Sequence, residues 1–257
     1  MQMQINSNDI PRKGDESSVI DRLIEYIDYY NGKWKYQIEG ASEGQIQQLR
    51  DKVNIKKWAD DFPKSYLCYL RAMGNNDGGL CNGFLEGKGC ISEIIDLYTE
   101  YGVYEPDTIK YPFFPFYNST FRDDLFFSLL PNEKREVVNV WEGRIEEVFC
   151  ESFEKFLFQS AYYTFEKYKI KRRFSVAPAK MKVHFQFVET ILKKICIEYE
   201  LKRSWISDDL RYIARGNKIS FVISTEHGVW GTITGDDEYL VQQIMDCFIK
   251  YFGVDEG

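Results

Sequence analysis

Two stretches, GASEGQIQQLRDKV (residues 40–53) and PKSYLCYLRAMGNNDGGL (residues 63–80), decide how the first part of the chain folds. In the first, Ser42 and Gln45 stand in the S-x-x-Q relation of a capping box. The serine oxygen accepts from the Gln45 amide while the glutamine side chain accepts from the Ser42 amide, so the helix start is specified from both sides. Ile46, Leu49 and Val53 then recur at helical spacing and give one apolar face. In the second, Pro63 suits a first helical turn, where its missing N–H has no partner to lose. Tyr66, Leu67, Leu70 and Met73 make the buried stripe of that helix. It must stop at Gly74-Asn75-Asn76-Asp77-Gly78-Gly79, because glycine and asparagine tolerate the left-handed backbone of such a turn.

Working outward, Ser17 is placed to cap an earlier helix through Ile20, Leu23, Ile24 and Ile27 that stops at Asn31-Gly32, with a short strand from Trp34 to Ile38 behind it. A helix over 91–101 carries Ile91, Ile94, Ile95 and Tyr98 on one side and ends at Gly102. From Ile109 the chain turns aromatic and extended: Pro112 to Tyr117, Leu125 to Leu130 and Val137 to Trp141, with Pro131 to Lys134 as a hairpin connection. A closing helix from Ser152 uses Phe153, Phe156 and Leu157. Helices, then an antiparallel sheet, then a helix predict an α+β fold. Lys167, Lys169, Lys171, Arg172, Arg173 and Pro178 form a basic join, part of which has room to be the first strand of a second domain. Beyond it come a helix near 180–199, a hairpin of Ile219, Phe221, Ile223 against Val229, Gly231, Ile233, and a helix over 237–252 that Asp236 is placed to cap. Leu240, Ile244, Phe248 and Tyr251 make the face of that last helix. The predicted organisation is a polar segment 1–16, a first domain 17–165, a basic linker 166–178 and a second, small α+β module 179–257.

The 40–80 region resembles the signature of the SUKH superfamily (Smi/Knr type). The resemblance rests on Gly40-Ala41-Ser42 with Ile46 and Leu49, on Pro63 with Tyr66, and on Tyr69-Leu70 ahead of Asp77-Gly78-Gly79-Leu80. Val137 to Trp141, Gly143 and the helix at Ser152-Phe153 to Phe156-Leu157 look like the closing elements of that family. The similarity covers about residues 17–165 and leaves the rest untouched. It implies helices packed on a mainly antiparallel sheet and, in bacteria, an immunity role: stoichiometric binding of a toxin, often a nuclease. The pattern is structural and transfers no catalytic residue. The region around Gly83 to Gly89 and the appended module depart from the plainest members and leave the partner open.

Charge is unevenly divided. Residues 1–165 carry 18 Lys and Arg against 27 Asp and Glu, a net −9, whereas residues 166–257 carry 15 against 13, a net +2. The acidic part repels nucleic acid and favours a basic protein partner, although net negative charge also simply keeps a protein soluble. The candidate contact set is Asp123, Asp124, Glu142, Glu146 and Glu147 as an acidic surface near the sheet, with Tyr111, Phe114 and Tyr117 as aromatic anchors beside it; core packing is the competing role for the aromatics. The N-terminal MQMQINSNDIPRKGDESS lacks the apolar stretch of a secretory signal and no apolar run is long enough to span a membrane, so a cytoplasmic protein is expected.

Catalytic chemistry is not expected. Cys68, Cys81, Cys90, Cys150, Cys196 and Cys247 form no CxxC pair and, with only His184 and His227, no metal-ligand spacing, so reduced structural thiols and no metal are predicted. Gly83 to Lys88 is one residue short of a phosphate loop, and Gly89 stands where Ser or Thr is needed, so no cofactor is expected. His184 shares a helical face with Val188, Ile191 and Ile195, and His227 reads as a turn residue. The basic run from Lys167 to Arg173 reads as solvated linker rather than a nucleic-acid site. A non-enzymatic immunity protein is therefore the leading expectation. A regulatory or scaffold module and an enzyme with an unrecognised site in 166–257 are the alternatives, and the oligomeric state is open.

Overall fold

The computed structural model describes residues 18–57, 59–82, 87–98, 113–119, 125–128, 137–141, 144–166, 169–175, 185–225, 229–252 and 255–256. The described chain divides between Glu166 and Lys167 into two units. Each is α+β, with helices and antiparallel strands.

In the first unit the capping box forms as the spacing predicts. The Ser42 amide donates to Gln45 Oε1 at 2.9 Å and the Gln45 amide to Ser42 Oγ at 3.3 Å, opening α2 (Glu43–Val53). Before it lies α1 (Val19–Tyr30); after it come α3 (Lys64–Met73) and α4 (Ile91–Leu97), and α5 (Phe153–Phe165) closes the unit. Several expected details differ. The position before α1 is Ser18, whose hydroxyl caps no amide but accepts from Arg22 Nε at 3.2 Å. Pro63 stands one residue ahead of α3 rather than inside its first turn. The strand expected from Trp34 is a 3-10 turn, Trp34–Tyr36, followed by the two-residue β1 (Ile38–Glu39), which pairs with β2 (Asn76–Asp77). Trp34 prefers the turn because its ring is then fully buried and its Nε1 donates to the Asp77 carbonyl at 3.0 Å. That bond ties the entry of the 40–53 helix to the glycine-rich turn after α3.

The sheet of this unit is a meander in the order β3 (Gly87–Lys88), β4 (Phe113–Ser119), β5 (Leu125–Ser128), β6 (Val137–Trp141), β7 (Arg144–Cys150), each strand antiparallel to its neighbour. Much of its aromatic content goes into one cluster. The Tyr66 ring meets Phe62, Phe114, Phe116, Phe127 and Phe153 edge to face at centroid distances of 5.1 to 6.2 Å, and Phe116 stacks on Phe127 at 4.2 Å. Edge-to-face pairs match the positive rim of one ring to the negative face of the next, which fixes ring geometry in a way aliphatic packing does not.

The second unit contains β8 (Ile170–Ser175), α6 (Phe185–Glu198), β9 (Lys202–Arg203), β10 (Arg211–Gly216), β11 (Ile219–Ser224), β12 (Trp230–Gly235), α7 (Glu238–Phe252) and β13 (Asp255–Glu256). The described strands lie in the order β13-β8-β12-β11-β10-β9, so the chain crosses from β8 to the far edge and returns strand by strand. Phe174, Leu192, Ile195, Phe221, Ile233, Ile244 and Phe248 belong to one core between the sheet and α6 and α7. Gly231 is required in that core, since a Cβ there would run into the ring of Phe174 and come within 2.7 Å of Ile223 Cδ1. The basic segment taken as linker is thus in large part a strand, six residues long and paired along its whole length with β12. Asp236 does not cap α7. Asp237 does, its Oδ1 accepting from the Tyr239 and Leu240 amides at 2.9 and 3.2 Å, while Asp236 Oδ1 takes the Lys169 amide at 3.5 Å.

Candidate protein-binding surface

Of the acidic and aromatic set expected from sequence, the structure describes the surroundings of two aromatics, Phe114 and Tyr117. Phe114 is fully buried and Tyr117 is 2% exposed, so neither is a surface anchor: Phe114 packs on Phe62 at 4.8 Å, and Tyr117 lies against Gly89, beside the Tyr69 hydroxyl. Both are core because β4 is buried from Phe114 through Tyr117. Glu146 and Glu147 belong to β7, where the register with β6 shifts between the pairs Asn139–Glu147 and Val140–Ile145. Tyr111, Asp123, Asp124 and Glu142 lie outside the described residues, as do His184, His227 and residues 83–86.

A different acidic face is present on α1. Its buried residues are Val19, Ile20, Leu23, Tyr26 and Ile27. At 100° per residue the opposite side of the helix is occupied by Asp21, Glu25 and Asp28, with Tyr29 beside them. Asp21 and Glu25 are exposed and have no ion pair among the described residues, and Tyr29 is 57% exposed. Asp28 is held by Lys35 at 2.7 Å, and Lys35 in turn lies 5.6 Å from the ring centroid of Tyr36, which is 80% exposed. The inner side of the helix is fixed by ion pairing and stacking onto α5: Arg22 meets Glu154 at 2.5 Å and sits over Phe158, and the Tyr26 hydroxyl donates to Glu166 at 2.8 Å. A helix anchored in this way presents two carboxylates and a large amphipathic ring to solvent. Sequence reading missed this face because it looked for adjacent acidic pairs. The signal was the complement of the apolar stripe, acids at i, i+4 and i+7.

The glycine-rich turn is a half-buried knot of internal hydrogen bonds. Asp77 Oδ1 accepts from the Gly79 amide at 2.8 Å and the Leu80 amide at 3.3 Å, and the Gly78 amide donates to Asn76 Oδ1 at 2.9 Å. Burial pushes the Asp77 carboxyl above its usual range, against those amides, which pull it down. Cys81 next to it is pushed well up by burial, with its sulfur 3.9 Å from Ser160 Oγ. A thiol held protonated in this way is a poor nucleophile. All six cysteines are free thiols. Among the described residues no group of three or more His, Cys, Asp or Glu is arranged to hold a metal ion, and no helix is long and apolar enough to cross a membrane.

In the second unit the two faces of the sheet differ. One carries the apolar core beneath the helices; the other is mixed, with Arg211, Ile213, Arg215, Ser220, Val222 and Ser224 buried along β10 and β11 and with Lys171, Arg173 and Ser175 exposed along β8. Compared with models of protein families, with curated proteins and with solved structures, the chain finds no match in any of the three.

Proposed function

We propose that this chain is a binding protein that performs no chemistry of its own, and that its first unit neutralises a basic protein toxin, of the nuclease class, as an immunity protein of the SUKH type. The observation that carries the reading is the outer face of α1, where Asp21, Glu25 and Tyr29 stand exposed on a helix locked to the core, within a part of the chain whose net charge is −9 over residues 1–165. Carboxylates of one sign steer a cationic partner during encounter, and a tyrosine among them supplies contact area with little side-chain entropy to lose. A nuclease must keep a basic groove for its phosphate substrate, so an acidic face competes for the same surface. The order and spacing of the capping box, the Pro63 helix and the Asp77-Gly78-Gly79 turn support the family assignment.

The test is co-expression with the toxin gene encoded beside this one, scored by survival and by recovery of a complex. Protection and a complex whose association slows with salt are expected. Reversing the face with Asp21→Lys and Glu25→Lys is expected to lower the association rate by about tenfold or more at low salt, with the folded state unchanged. A protein that neither binds nor protects against that toxin refutes the reading.

A further inference from the structure

The basic run that reads as linker is registered by the fold onto one face of a sheet, and that changes its meaning. Cross-strand partners share a face, so Lys171 lies beside Thr234, Arg173 beside Thr232 and Ser175 beside Trp230, all on the side away from α6 and α7. The intervening Arg172 falls on the helix side and is neutralised by Glu238 of α7 at 3.3 Å. Lys171 and Arg173 are exposed and have no ion pair among the described residues. Partial burial and the neighbouring Arg173 both push the Lys171 ammonium below its ordinary value, as expected for two cations with no carboxylate between them. In β13, Asp255 pairs with Ser175, at the end of β8 away from Lys171. Farther across the same face the pairing aligns Arg215 of β10, which is buried, with the exposed Lys202 of β9.

We propose that the β8–β12 strip of the second unit binds the backbone of single-stranded nucleic acid. Two cations at i and i+2 on a strand stand about 6.7 Å apart, a spacing suited to successive phosphates of an extended strand, and the exposed Ser175 on the same side adds a neutral donor. Lys, Arg, Ser and Thr are the side chains that contact phosphate oxygens. Trp230, half-buried at the end of the strip, is placed to stack on a base. An acidic protein is the less suited occupant, because Trp230 is the one aromatic residue among the described residues on this face of the strip, and aromatic anchors dominate protein interfaces. Nucleic-acid binding here is independent of the toxin reading, which concerns the other unit.

The experiment is fluorescence anisotropy of the full chain with labelled oligouridine RNA and oligothymidine DNA across a salt series. Binding that weakens with salt is expected. The variant Lys171→Ala/Arg173→Ala is expected to bind at least tenfold more weakly at low salt and to flatten the slope of log K against log salt by about 1.4, two contacts at about 0.7 each. Trp230→Phe keeps a ring and is expected to bind within a few-fold of wild type, whereas Trp230→Ala loses about fivefold or more. A control, Lys193→Ala/Lys194→Ala on the exposed side of α6, removes the same charge elsewhere and is expected to leave binding unchanged. No binding at low salt overturns the proposal. So does equal weakening by the control pair, which means diffuse charge attraction, and so does polyglutamate competing as well as RNA, which assigns the strip to an acidic protein.

Discussion

Replacing Gly78 and Gly44 by alanine, two superficially similar changes, is expected to move stability in opposite directions. Gly78 follows Asp77 in the turn after α3 and has φ +64°. An alanine there carries the left-handed cost of roughly 1–2 kcal/mol. Its Cβ would also lie 2.6 Å from Trp34 Nε1 and 2.8 Å from Trp34 Cδ1. Trp34 is fully buried, with Phe165 at 5.8 Å, so the indole has little room to retreat. Displacing it breaks the bond from Nε1 to the Asp77 carbonyl and leaves a buried donor unmet, about 1–3 kcal/mol more. A loss near 3 kcal/mol in all, in a unit of about 150 residues, lowers Tm by roughly 6–12 °C. Gly44 lies in the first turn of α2, exposed, and the nearest atom to a Cβ there is Ser42 Oγ at 3.8 Å. Alanine at that site removes backbone freedom from the unfolded chain and is expected to stabilise by about 0.5–1 kcal/mol. Urea denaturation followed by circular dichroism measures both. A Gly78→Ala protein within about 0.5 kcal/mol of wild type, alongside a stabilised Gly44→Ala, would refute the claim that the turn is locked against Trp34.

Three further perturbations test the first unit. The Tyr66 hydroxyl is buried in the aromatic cluster with no hydrogen-bond partner among the described residues and is raised in pKa by burial alone, so Tyr66→Phe is expected to leave stability unchanged or raise it by about 1 kcal/mol; a clear loss in thermal denaturation would reveal a partner for that oxygen. Ser42→Ala removes the acceptor of the capping box and is expected to cost about 1 kcal/mol, with Gln45→Ala less than additive on top of it in a double-mutant cycle, and strict additivity would mean the two side chains are not coupled. Asp77 has its folded pKa raised, so the folded state holds the proton more tightly than the unfolded chain, and stability falls as pH rises from the ordinary carboxylate value through the raised one. Asp77→Asn lacks that titration while keeping an acceptor for the Gly79 amide. Wild type is therefore expected to lose ground to the variant between acid and neutral pH; Asp61, held low by Arg50, acts in the opposite sense in both proteins and cancels. A gap that does not change with pH contradicts the assignment.

Local signals were read correctly where one residue type does one job. Ser42 with Gln45, the apolar stripe of α3, the extended aromatic strands and the β11–β12 hairpin all depend on neighbours within a few positions. What escaped depends on contacts far along the chain. Trp34 turns rather than extends because of Asp77, 43 residues later. Strand β10 was invisible because Arg211 and Arg215 occupy positions that in most strands face water, yet both are buried, at 1% and 3% exposure. Asp236 and Asp237 are chemically equivalent caps, and only the path of the backbone out of β12 decides between them. For Phe114 and Tyr117 the sequence favours core packing over an anchor role, and the covered strand bears that out.

The two proposed surfaces carry opposite charge, and salt alone cannot assign partners to them, since raising ionic strength screens every long-range attraction beyond about 8–10 Å alike. The sign of substitution can. Asp21→Lys/Glu25→Lys removes an attraction for a cationic protein and adds positive charge, so it is expected to weaken toxin binding while leaving RNA binding equal or stronger. Lys171→Glu/Arg173→Glu is expected to do the reverse. Each pair shifts the net charge of the whole chain by the same magnitude, so a general charge effect would make the two partners respond to total charge wherever it is placed. Alanine pairs at Lys171/Arg173 and Lys193/Lys194 separate the remaining cases, because they change total charge identically and differ only in which surface they touch.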